Sequence, residues 1–206
     1  MLGIIIYIII AYLLGSIPTA VWLGKIRYNI DVREHGSKNA GATNTFRVLG
    51  KKPGTVVLLI DIVKGVLAVT LPFFFDFAPW KSDALIQLQL ITGVVAVIGH
   101  IFPLFASFNG GKGVATSLGI VIGIHPPAAL FCVGLFLVVF IFSSFVSLGA
   151  IIAALAFPIV LFFIFENTNL FLTIFSLVLS LAVVLSHHKN IKRMLNGEEN
   201  KMNLFR

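Results

Sequence analysis

Residues 147–165 read SLGAIIAALAFPIVLFFIF, a run without charge and without polar–apolar alternation. A helix of this length, rising about 1.5 Å per residue, is nearly long enough to cross a hydrocarbon core of about 30 Å. A membrane-barrel strand would alternate, and this stretch does not. In lipid the backbone must satisfy its own hydrogen bonds, so a spanning helix is the remaining reading. The same texture recurs near 3–24, 54–75, 84–105, 113–124, 127–145 and 169–186, which makes seven apolar segments in 206 residues. A hydrophobic content of 58% against 11% charged, with a mean hydropathy of +1.04, agrees. The expected fold is an all-α integral membrane protein of seven transmembrane helices, in a single membrane-embedded domain over 1–206. Segment 113–124 is the short one, at about 18 Å of helix. It must recruit the Gly-rich turn before it or sit deep, and short Gly-interrupted segments point to binding sites.

Charge sets the expected orientation. The stretch from Gly24 to Pro53 carries Lys25, Arg27, Arg33, Lys38, Arg47, Lys51 and Lys52, and the tail after Ser186 carries Lys189, Lys192, Arg193, Lys201 and Arg206. The intervening turns on the other side, near 76–83, 125–127 and 166–169, hold one cation, Lys81. Cations collect on the cytoplasmic side of membrane proteins, so both basic stretches are placed inside and the N-terminus outside. That also accounts for the net charge of +7 without nucleic acid. Leu2 to Leu14 resembles a signal-peptide core, but cations follow it rather than precede it, so it reads as a retained first helix. Cys132 is the only cysteine and lies in an apolar run, which excludes an internal disulfide.

Against this apolar background, residues 36–47 (GSKNAGATNTFR) stand out. Gly36 and Gly41 let the backbone approach a ligand, Ser37, Asn39, Thr43 and Asn44 bring hydrogen-bonding groups, and Lys38 and Arg47 bring charge. This is the chemistry that holds a phosphate. Asn109, Gly110, Gly111, Lys112 and Gly113 repeat it. Within the second segment Asp61 and Lys64 share a helix face at a depth where charge is costly. His100 ends the third segment, Ser143, Ser144 and Ser147 mark an inner turn, and His187 and Asn190 lie three apart after the last segment. His125 falls on the opposite face as a turn residue. With this topology the polar groups are expected to gather on the cytoplasmic side.

Several chemistries are excluded by pattern. The Gly-Gly-Lys-Gly turn lacks the Ser/Thr and the preceding strand of a Walker loop. No His and Cys set has metal spacing, and no Gly-x-Ser-x-Gly elbow occurs. No histidine is followed by the x-x-x-x-Asp expected of coenzyme-A-dependent glycerol-phosphate acyltransferases.

Three blocks resemble the bacterial membrane family of acyl-phosphate:glycerol-3-phosphate acyltransferases. They are Gly15-Ser-Ile-Pro-Thr19 with Asp31-Val-Arg33 and the 36–47 loop; Asp61-x-x-Lys64-Gly65; and Gly99-His100-x-Phe-Pro103 with Phe108-x-Gly-Gly-Lys-Gly-Val-Ala-Thr116. Ser147 and His187-x-x-Asn190-Ile-x-Arg193 also resemble family positions. Lys38 departs from the small residue expected there. The resemblance implies seven helices, no cofactor or metal, and acyl transfer from acyl phosphate to glycerol 3-phosphate at the inner face of the bacterial cytoplasmic membrane. On that reading Ser37, Asn39, Thr43, Asn44, Arg47 and the amides of Gly110, Gly111, Lys112 and Gly113 bind phosphate. Lys112 and Lys64 neutralise charge, Asp61 orients Lys64 or a glycerol hydroxyl, and Ser147 and Asn190 join the substrate site. His187, His100 or a substrate phosphate takes the hydroxyl proton. A transporter of an organophosphate or lipid is the competing class. It should place polar residues through to both faces, whereas here they gather on one. Acyl-chain preference and oligomeric state are left open.

Overall fold

The computed structural model describes residues 2–75, 79 and 82–202; Lys81 and Arg206 lie outside the described residues. All regular structure among them is helical. The chain divides into two compact units, Met1–Ile124 and His125–Arg206.

In the first unit the expected first span is two helices, α1 (Leu2–Ser16) and α2 (Thr19–Tyr28), bent by 41°. Pro18 sits at the break, where it has no N–H to give and its ring opposes continuous helix. After a single 3₁₀ turn at Val32–Glu34 comes α3 (Ala42–Leu49), then the long α4 (Lys51–Thr70) and α5 (Asp83–Ile101). The short α6 (Val114–Ile124) closes the unit. Helix α1 packs on α5, and α4 packs on α6, α5 and α3. Along α4 the pattern is that of a membrane helix: Leu59, Val63 and Leu67 face outward while Asp61, Lys64, Gly65 and Ala68 are buried. The backbones of α4 and α6 meet closely. A methyl group added to Gly65 would strike the carbonyl of Thr116, and one added to Gly119 would strike the carbonyl of Ile62.

The second unit holds α7 (Pro126–Ser143), α8 (Val146–Ile159) running into a π-helical turn at Val160–Ile164, α9 (Leu170–Ser186) and α10 (His188–Leu195). His125 caps α7 by accepting from the Ala128 N–H at 3.2 Å, the turn role read for it above. Helix α7 packs on α8, and α8 on α9. Helices α9 and α10 meet at His187 with a bend of 55°.

Among the described residues four helical stretches are long and apolar enough to span: Lys51–Phe74, Asp83–Ala106, Pro126–Ser143 and Val146–Ile164. Counting each bent pair as one span raises the number to six. Of the seven expected segments, Val114–Ile124 is the one that stays short, as its length in the sequence foretold.

Candidate active site

The break in α1 explains the charges on α4. The Thr19 N–H turns to the Ile17 carbonyl at 3.0 Å, which leaves the Gly15 carbonyl without its helical donor. The Lys64 ammonium takes both carbonyls, Gly15 at 3.2 Å and Ile17 at 2.8 Å, and pairs with Asp61 Oδ1 at 2.8 Å. The Thr19 hydroxyl donates to the same carboxylate oxygen at 3.3 Å. His100 Nδ1 stands 3.4 Å from Lys64 Nζ and 3.8 Å from Asp61 Oδ1. All four side chains are buried. Lys64 was expected to neutralise substrate charge, but here it donates inside the protein to carbonyls at the helix break. Together with Asp61 it braces the broken helix.

His100 carries the brace to the Gly-rich turn. The Gly111 N–H donates to the His100 carbonyl at 3.1 Å, and the Gly110 N–H to the Ile101 carbonyl at 3.1 Å. A side chain at Gly111 would run into His100 Nε2. The expectation that the Gly110 and Gly111 amides hold a phosphate is therefore corrected. These amides satisfy the carbonyls that every helix leaves unpaired at its C-terminal end, here that of α5. Lys112 is half-buried in front of α6, and Gly113 has a φ of 78°.

The 31–47 loop is shaped from within. Asn44 is almost wholly buried, and its amide donates to the carbonyls of Val32 at 2.7 Å and His35 at 3.1 Å. Its Oδ1 accepts from the Ser37 N–H at 2.8 Å and the Ser37 hydroxyl at 3.1 Å. Asn44 is thus the tie that folds the loop and sets the position of Ser37. Asn39 and Thr43 are half-buried, and Arg47 is exposed. Asp31 caps the turn at Val32–Glu34 and grips Arg33 through Nε at 3.0 Å and Nη2 at 2.7 Å. Arg33 Nη1 reaches the Ala106 carbonyl at 2.9 Å, so this pair fastens the loop to the one that follows α5. The guanidinium beside Asp31 holds its carboxyl well below the usual carboxylate range, and Asp31 in turn raises the pKa of Arg33. Between the two loops runs a groove of about 670 Å³, whose walls include Arg33, Lys38, Phe102, Phe108 and Asn109.

In the second unit the structure brings Ser147 and Asn190 together through a residue the sequence reading passed over. Glu199 Oε1 accepts from Asn190 Nδ2 at 2.6 Å and from the Ser147 hydroxyl at 2.9 Å, while Oε2 accepts from Arg193 Nε at 2.9 Å. Burial opposes its charge, but these three partners outweigh burial and hold the carboxyl below its ordinary value. His187 is buried, with Nδ1 at 2.8 Å from the Val183 carbonyl. A carbonyl only accepts, so Nδ1 carries a proton.

A family model described as glycerol-3-phosphate acyltransferase matches residues 5–197. A glycerol-3-phosphate acyltransferase of Chlorobaculum tepidum is 42% identical, with 100% of this chain and 99% of the relative covered. One of Streptococcus pyogenes serotype M5 is 42% identical over 96% of this chain and 92% of its own length. Among solved structures, the crystal structure of PlsY, an integral membrane glycerol 3-phosphate acyltransferase, in its glycerol 3-phosphate form, matches with a TM-score of 0.86 at 35% identity, covering 98% of this chain and 99% of that one. The lysophosphatidic acid form matches with a TM-score of 0.82 at 34% identity, covering 97% and 95%.

Proposed function

Because this chain belongs to the glycerol-3-phosphate acyltransferase family, we propose that it moves an acyl group from an acyl phosphate to the 1-hydroxyl of sn-glycerol 3-phosphate, as a step of phospholipid synthesis. The products are 1-acyl-glycerol 3-phosphate and inorganic phosphate. The hydroxyl oxygen attacks the acyl carbonyl carbon, the bond from that carbon to the phosphate oxygen breaks, and the hydroxyl proton leaves with a phosphate. An acyl phosphate is a mixed anhydride with a good leaving group, so no covalent nucleophile is required. Rate then depends on alignment of the hydroxyl with the carbonyl and on offsetting the repulsion of two anions.

The observation that carries this reading is the meeting of two cationic loops in the first unit, joined through Arg33 to Ala106 and backed by the Asp61–Lys64–His100 brace. Arg47 and Lys112 are assigned to the phosphates, with Ser37, Asn39, Thr43 and the amides of Lys112 and Gly113 beside them. Asn44 and His100 act by holding those loops in shape. In the second unit Ser147, His187 and Asn190 are assigned to substrate, with Glu199 ordering Ser147 and Asn190. His187 positions substrate, and a phosphate oxygen is the proton acceptor. The whole chain acts as one domain of seven crossings in the bacterial cytoplasmic membrane, with the 36–47 loop, the 109–113 turn and the tail after Ser186 on the cytoplasmic face.

The test supplies labelled glycerol 3-phosphate with acyl phosphate, acyl-coenzyme A or acyl-carrier-protein thioester to detergent-purified protein, and follows lysophosphatidic acid. Only acyl phosphate should support turnover, with inorganic phosphate a competitive inhibitor against it and chelators without effect. Efficient use of a thioester would overturn the donor. Placement is tested with Lys52→Cys and Asn200→Cys in a Cys132→Ala background, which should react with an impermeant reagent in inside-out vesicles alone.

A further inference from the structure

Lys38 is the one residue of the 36–47 loop that departs from the resemblance, and the fold makes no use of its side chain. It is exposed and lines the groove between the two loops, and among the described residues its ammonium has no hydrogen bond or ion pair, while its backbone N–H donates to the His35 carbonyl at 3.0 Å. Its backbone sits at a φ of 59°, a left-handed conformation that a side chain makes costly and that glycine adopts freely. Holding a long cation at such a position has no folding rationale, and strained residues of this kind gather at ligand sites. The other cation of the groove is already matched. Arg33 is gripped by Asp31, which also pairs with Lys25 at 3.2 Å. Glu34, on the same rim, acts on the Arg33 guanidinium. That leaves Lys38 as the groove's unmatched cation among the described residues.

The rest of the lining carries two aromatic rings, Phe102 and Phe108, beside Ser107 and Asn109. Phe102 follows the last residue of α5, where that spanning helix ends, and Phe108 is held at a φ of 58°. Each ring-bearing residue is 54% exposed, and both line the groove. A left-handed backbone at a phenylalanine is a second strained position on the same groove. A cation on the polar loop, facing aromatic rings at the end of a spanning helix, fits a ligand with an anionic head and a hydrocarbon tail. Glycerol 3-phosphate and inorganic phosphate have the head without the tail and leave the rings unused.

We propose that this groove is the entry subsite for the acyl phosphate, with Lys38 contacting its phosphoryl group and Phe102 and Phe108 lying along the first part of its chain. The identity of the ligand rests on the reaction proposed above. The groove itself is tested apart from it, by thermal shift of the full-length protein with a long-chain alkyl phosphonate, which binds as an acyl phosphate should but cannot react. In kinetics, Lys38→Gly and Lys38→Ala should raise KM for acyl phosphate roughly three- to tenfold, the loss of one charge-assisted contact at an exposed site. Lys38→Glu should raise it further. The inhibition constant of inorganic phosphate should rise in step, while KM for glycerol 3-phosphate and kcat change little. Lys38→Gly should also keep or raise Tm, because glycine relieves the backbone, and this separates a ligand contact from a folding role. An unchanged KM for acyl phosphate in all three variants, or a rise in KM for glycerol 3-phosphate instead, overturns the assignment. Absence of any turnover with acyl phosphate in the wild type overturns the reaction. Phosphonate binding that is lost in Lys38→Glu would still establish the amphiphile groove, and equal binding by wild type and Lys38→Glu would remove it.

Discussion

The chain contains the same chemical pairing in two settings. Asp61 holds Lys64 at 2.8 Å with side-chain exposures of 3% and 4%, and Asp31 holds Arg33 at 2.7 Å with exposures of 10% and 23%. The distances are alike, and the consequences differ. Burial keeps bulk water from replacing a lost partner of the first pair, so each charge depends on the other and on the carbonyls at the helix break. Around the loop pair water is at hand, and the bidentate grip mainly fixes the shape of a surface. A carboxylate and a cation at contact distance therefore identify neither a stability element nor a site until their surroundings are known.

The strongest way to break this contrast is to remove one buried partner. Lys64→Met should cost about 3–5 kcal/mol, because it leaves the buried Asp61 carboxylate without its countercharge and the Gly15 carbonyl without the ammonium. Thermal unfolding in detergent measures it, and Asp61→Asn combined with Lys64→Met should recover part of the loss. A wild-type Tm in Lys64→Met would show that the pair is no brace. Next come the cations assigned to substrate. Arg47→Ala and Lys112→Ala should each lower activity on the order of a hundredfold. Arg47→Lys should remain poor if the contact is bidentate. Near-normal rates in both alanine variants would remove the phosphate assignment. His187→Gln follows, with a smaller effect. It should raise KM for glycerol 3-phosphate more than it lowers kcat, whereas a loss of about 10²–10⁴ in kcat at constant KM would make His187 the base.

The smallest effect belongs to the loop pair and sharpens the contrast through pH. The folded-state pKa of Asp31 is depressed, so its contribution is present above the unfolded carboxylate value, about 3.9, and is lost as pH falls from there toward the folded value. Wild type should therefore lose more stability than Asp31→Asn in acid unfolding below about pH 4. Parallel profiles for the two proteins would mean that the grip on Arg33 contributes nothing to folding.

The membrane class and most helices were legible because apolar runs of spanning length have few alternative folds. The break at Ile17–Pro18 was legible too, since a proline inside a helix has one dominant consequence. Its sequel was not. That Lys64 answers the carbonyls at the break depends on α4 lying against the bend, which no local pattern states. Gly110 and Gly111 misled for a related reason. Glycine signals close approach without saying to what, and the nearest acceptors were the carbonyl ends of α5. Glu199 left almost no trace, being an acid in a cationic tail nine positions from Asn190 and outside any helix period. Its only signal was Gly197 before it, whose φ of 72° turns the chain back.

The glycine contact between α4 and α6 has a consequence for how the protein is made. Helix α6 is too short to hold itself across a bilayer, and at Gly65 and Gly119 its grip on α4 is backbone against backbone. It emerges from synthesis after α4, so the surface that receives it is already in place. An alanine at Gly65 should therefore act during insertion, leaving α6 without a berth and sending the nascent chain to quality control, and pulse-labelling would show this as lost yield rather than as a slow enzyme.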